Sequence, residues 1–114
     1  MAKTNSVLIE KNIFVGVATD DAGDSEIIDM AGADRFSCQA IYDATGASGA
    51  TLTFQKSNDG DSWVNIQSAT NIGTDGTVML EVANVDFRYF KAVKAIDSGD
   101  VDLEVLIRVI GDAI

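Results

Sequence analysis

The chain of 114 residues has no proline, no histidine and one cysteine, and only eight of its residues are basic. Without proline, no strand is barred on that ground from the interior of a sheet. Without histidine, the side chain best suited to proton transfer near neutral pH is missing. With Cys38 alone, no intramolecular disulfide forms and no Cys/His cluster offers zinc or iron a seat. Eight Lys and Arg against eighteen Asp and Glu leave a formal charge of −10. Phosphate backbones are held by cations that displace counterions, so this balance argues against nucleic acid as a direct partner, and against an anionic membrane surface. No apolar run approaches the ~20 residues of a membrane span. "MAKTNSVLIEKN" lacks the apolar core of a signal peptide, so synthesis in a reducing cytoplasm is expected.

What is present is alternation. "RFSCQAIY" puts Phe36, Cys38, Ala40 and Tyr42 on one face, with Arg35, Ser37 and Gln39 on the other. Leu52 and Phe54 alternate with Thr51, Thr53 and Gln55. Val78, Leu80 and Val82 repeat the pattern, and Val101, Leu103, Val105, Ile107 and Val109 oppose Asp102, Glu104 and Arg108. Period two in so many segments is the mark of antiparallel strands with one wet face. Between them, "TDDAGDS", "ATGASGA", "SNDGDS", "GTDGT" and "IDSGD" supply turn chemistry: Gly for positive φ, and Asp, Asn or Ser for local hydrogen bonds. Strands are expected near 5–10, 12–18, 25–30, 35–43, 50–57, 62–67, 76–83, 87–96 and 101–110. The fold predicted is all-β, an antiparallel two-sheet sandwich, jelly-roll-like, of eight or nine short strands. Residues 1–12 form an N-terminal arm or edge strand and 13–114 a single domain. "FRYFKAVKA" resists assignment, because Phe87, Tyr89 and Val93 share one parity while Phe90 and Ala92 hold the other; a bulge or two-sided burial would explain it.

Catalysis finds no support. Cys38 sits in mid-strand, where a thiol is an inert apolar group, the serines lack a partner base, and no glycine-rich loop has a phosphate-binding pattern. No cofactor is expected; weak calcium binding stays open at Asp20, Asp21 and Asp24, or at Asp97, Asp100 and Asp102. "KSNDGD" fails as a calcium loop, since Gln55 and Ile66 fall where carboxylates belong. Trp63, just after a hairpin turn, is read as covering the end of the core. Arg88, Lys91 and Lys94 are the one basic concentration, either salt-bridge partners or a contact to an acidic neighbour. Val7 and Ile9 lie in a segment suited to adding a strand to a neighbour. These five residues are the candidate subunit or capsid contacts.

"ATLTFQKSNDGDSWVNI", followed by "FRYFKAVK" and a long final alternating strand, resembles small tailed-bacteriophage virion proteins of the capsid decoration (cement) or head protein type. "GDSEIIDMAGADRFSCQAIYDATGASGA" fits the same pattern, so the resemblance covers roughly residues 23–110. It implies a β-sandwich that acts as a structural virion component, commonly a homotrimer seated outside a capsid shell, with the major capsid protein as partner. An acidic chain suits the outer surface of a head better than its DNA-filled interior. The "SNDG-x-x-W" hairpin also occurs in carbohydrate-binding and adhesin-like sandwiches, which is the alternative.

Overall fold

A computed structural model describes residues 5–14 and 23–112. Among the described residues, ten antiparallel strands make two sheets: β1 (Asn5–Asn12), β2 (Gly23–Asp24), β3 (Ile28–Asp29), β4 (Ala33–Ser48), β5 (Thr51–Ser57), β6 (Val64–Asn65), β7 (Thr70–Asn71), β8 (Gly76–Val82), β9 (Tyr89–Ala95) and β10 (Ser98–Asp112). Sheet A has the order β1-β10-β4-β8. Sheet B centres on the β9–β5 pair, with the short β2 and β3 along one edge and β6 and β7 along the other. Counting each broken edge as one strand gives two interleaved four-stranded sheets, the jelly-roll order that the alternation predicted.

The longest pairing joins β4 to β10, from Ser98 opposite Ser48 to Gly111 opposite Ala33. Sixteen residues at about 3.3 Å each account for the 54 Å long axis. Both strands are longer than predicted, because the chain reverses only at 49–50 and 96–97 and the rest of "ATGASGA" and "IDSGD" pairs on through a bulge. The register slips between Ser98 and Asp100, and Gly46 and Gly99 take positive φ there. A left-handed glycine serves a bulge as well as a turn, so sequence alone does not tell them apart. At the far end Gly111 is dictated by space, since a Cβ there would strike the Gly32 carbonyl oxygen.

Inward positions of the two sheets meet in one core. Phe36 from sheet A reaches Phe90 of sheet B at 4.9 Å between centroids, and Phe90 stacks on Phe54 at 6.0 Å. Val101, Val105, Ile107 and Val109 of β10, with Leu52, Ala92, Cys38 and Ala40, complete the dry interior. The parity conflict in "FRYFKAVKA" resolves without a bulge: β9 begins at Tyr89, so Phe87 precedes the strand and packs edge-on against Phe36 at 6.1 Å. Other predicted strands are shorter. Residues 25–30 hold only β3, and Ser25 takes over part of the ladder: its Oγ accepts the Ala92 N–H at 2.9 Å while its own N–H donates to the Ala92 carbonyl at 2.8 Å. The strand expected over 62–67 is two residues long, and that over 12–18 lies outside the described residues beyond Phe14, with Ile13 buried ahead of it.

Candidate functional site

Outward positions of sheet A are mostly polar, with a cluster of exceptions at its middle. Ile41, Met79 and Leu106 point away from the core and are 38%, 51% and 40% exposed. Each breaks the alternation of its own strand, and the topology brings the three together. Gln39 lies directly opposite Leu106 on one side and Met79 on the other, and Ile41 is the next outward residue along β4. Two shallow depressions, of about 670 and 520 Å³, run over this face. Met79, Leu106 and Gln39 line the first, and Arg108 joins it to the second, which reaches Arg35 and Ile110.

Charge frames this apolar strip unequally. Towards β1, Arg108 is paired with Glu10 at 3.2 Å, both side chains being more than half exposed. A pair so wet contributes about 0–1 kcal/mol. At the opposite end Asp43 faces Asp102 across the β4–β10 ladder, and Asp75 hydrogen-bonds to Asp43. That hydrogen bond and the charge of Asp75 hold the Asp43 carboxyl above its ordinary range. Asp75 is fixed there because its Oδ1 accepts the Ala44 N–H at 3.0 Å.

The five residues expected as contacts do not form one surface. A bulge between Val7 and Ile9 turns Val7 outward, 46% exposed, while Ile9 packs against the core, so the simple alternation assumed for them fails. Bulges do this by placing two successive side chains on one side of a strand. Lys94 is a correction: it is inward on β9, 2% exposed, with Nζ donating to the Val101 carbonyl at 3.1 Å. It cannot meet a partner at the surface. Arg88 makes two bonds to Asp29, at 2.6 and 2.9 Å, and the guanidinium holds that carboxyl down at about 2. Lys91 donates to Asp24 at 2.9 Å and lies 4.4 Å from the Trp63 ring centroid.

Trp63 is therefore misread from sequence as a plug on the core. Its partner Lys91 points outward from β9, since neighbouring Phe90 and Ala92 are the buried ones. The indole lies on the outer face of sheet B, held by a cation–π contact of a kind worth about 0.5–2 kcal/mol. The hairpin before it is built as predicted. Asp59 Oδ1 accepts the N–H groups of Asp61 and Ser62 at 2.9 and 2.8 Å and the Ser57 hydroxyl at 2.9 Å, which hold its carboxyl at about 2. Gly60 turns the chain at φ 80°.

Burial pushes the Cys38 thiol up to about 12, so it carries no thiolate at neutral pH. Asp24 is engaged by Lys91, and Asp20 and Asp21 lie outside the described residues. Among the described residues no three His, Cys, Asp or Glu stand together as a metal would need, Asp97, Asp100 and Asp102 included. Among the described residues no helix is long and apolar enough to cross a membrane.

No protein-family model matches the chain, and no curated protein matches it. Among solved structures it is similar to the crystal structure of SPBc2 prophage-derived protein YomS, with a TM-score of 0.59 at 9% identity, covering 97% of this chain and 98% of that one. At that identity the fold is what the two share, and they share it along their whole lengths.

Proposed function

We propose that the chain is a structural virion protein, a decoration protein that binds the outside of a phage head and stabilises it through contacts with the major capsid protein. The observation that carries this reading is the full-length likeness in fold to a prophage-derived protein. A fold alone hosts many functions, so the residues must supply the rest. They supply an acidic surface suited to the outside of a head, and an apolar strip of Ile41, Met79 and Leu106 suited to a protein partner. We place the seat on the outer face of sheet A. Mixing the purified protein with heads that lack it, followed by co-sedimentation, tests the reading. Wild-type protein should pellet with the heads, and Leu106→Lys should weaken binding at least about tenfold, because a buried ammonium replaces an apolar contact. Wild-type protein left in the supernatant overturns the reading; undiminished binding by Leu106→Lys moves the seat to another face.

One observation favours a second reading, a carbohydrate-binding module. Trp63 lies on a sheet face rather than in the core, with outward-pointing Tyr89 on the same side of β9. The ring pairs of the structure, however, all join phenylalanines in and around the core. Retention on a glycan array that Trp63→Ala abolishes would favour this reading over the first.

A further inference from the structure

Each sheet has two edges, and three of the four are closed to another strand. The β1 edge is kinked by the bulge at Leu8 and carries Glu10 and Lys11. The β2/β3 edge is interrupted at Ser25, whose hydroxyl accepts the Ala92 N–H from β9. The β6/β7 edge consists of two separate two-residue pieces. Interruptions, bulges and charges of this kind are how sheets keep neighbours off. The β8 edge has neither interruption nor bulge, and a single charge, Glu81. It runs seven residues, "GTVMLEV", in unbroken register with β4 from Phe36 opposite Val82 to Tyr42 opposite Gly76. Among the described residues no strand pairs its outer side, and no backbone hydrogen bond outside the ladders involves residues 76–82. Roughly half of its N–H and C=O groups face outward.

We propose that β8 pairs antiparallel with β8 of a second copy about a twofold axis at Met79, joining two four-stranded sheets into one of eight. The occupant follows from charge. A chain of formal charge −10 meets its own copy only where negative charge is sparse, and β8 carries Glu81 alone. With Met79 opposite Met79 of the second copy, Glu81 faces the uncharged Thr77, and Val78 faces Leu80. The two exposed methionines meet on the outer face, and the rows Leu106–Gln39–Met79 run on into each other. Like residues facing like across a dyad is the isologous contact of a dimer. A trimer would need β8 to pair with a different edge, and the other edges are closed. The proposal does not depend on the virion reading. Two strands bury little area, so the dimer is expected in the micromolar range of small interfaces.

Engineered cysteines test it, because Cys38 is buried and does not compete. Under mild oxidation Met79→Cys should form a covalent dimer, since directly opposed Cβ atoms lie about 4.5–5.5 Å apart. Thr77→Cys should not, because its symmetry mate is four residues, about 13 Å, away along the strand. The double variant Thr77→Cys/Glu81→Cys should cross-link again. Sedimentation from about 1 to 200 µM, the range where small interfaces form, should show a monomer–dimer equilibrium. Met79→Lys should weaken it at least tenfold and Leu106→Lys less than threefold. A monomer throughout, a trimer, equal cross-linking by Thr77→Cys alone, or a greater loss from Leu106→Lys than from Met79→Lys would overturn the proposal.

Discussion

Replacing Ser25 by alanine isolates one hydroxyl that stands in for a strand. Ser25 is 7% exposed, and its Oγ accepts the N–H of Ala92, itself fully buried in the central strand of sheet B. The same hydroxyl donates to the Glu26 carbonyl at 2.9 Å, at a position open enough for water to replace it. Alanine leaves the Ala92 N–H without its acceptor in a dry place, which costs about 1–3 kcal/mol. Removing the buried hydroxyl returns a fraction of that, so a net loss of about 2 kcal/mol is expected. For a domain of this size that lowers Tm by about 8–10 °C. Urea unfolding followed by circular dichroism should show a lower midpoint with an unchanged slope, because the surface exposed on unfolding is the same. Ser25→Thr, which keeps the oxygen, should recover most of the loss. Hydrogen exchange gives the local readout: the Ala92 amide should exchange faster in Ser25→Ala than its neighbours in β9 do. A loss below about 0.5 kcal/mol, with the Ala92 amide still protected, would refute the substitution of side chain for ladder.

Two further outcomes follow from the core and the carboxylates. Phe90 touches rings from both sheets and is fully buried, so Phe90→Ala should cost about 3–5 kcal/mol in urea unfolding; that is a large share of the ~5–15 kcal/mol such a domain possesses. On acidification, Asp29 and Asp59, both held at about 2 in the fold against an ordinary 3.8, lend stability that is fully present above that ordinary value and is lost as pH falls through about 2. The urea midpoint should therefore be level down to about pH 5 and fall below about 4, less steeply in Asp59→Asn. Asp43 has the opposite sign, since its raised pKa means that the fold is relieved when it takes up a proton, so Asp43→Asn should raise the midpoint at pH 7.

Much of the fold was legible because both sheets keep one wet face, so inward residues alternate openly in β4, β5, β8 and β10. Glycine placement was less informative: Gly46 and Gly99 carry the φ of a turn but sit in a bulged ladder that runs on past them. The apolar strip on sheet A was legible only in retrospect. Ile41, Met79 and Leu106 stand out as apolar residues of the wrong parity, but they lie on three strands, and adjacency depends on which strands pair. Lys94 was misplaced for a related reason. Its parity follows Phe90 and Ala92, whereas its charge suggested the surface, and burial won because a backbone carbonyl meets its ammonium inside. Trp63 was placed over the core because it follows a hairpin turn, and the cation on β9 holds it outside.

The strand that binds sheet A together is also the one the ribosome delivers after every other described strand. β10 lies between β1 and β4, so neither of them can pair on that side until translation has passed residue 98. Until then β1 and the β10-facing side of β4 wait with open backbone, and only sheet B has all its partners in hand. Such distant pairings are slow to form, on the order of milliseconds to seconds. A nascent chain that stalled short of β10 would hold sheet B with only the β4–β8 pair to lay upon it.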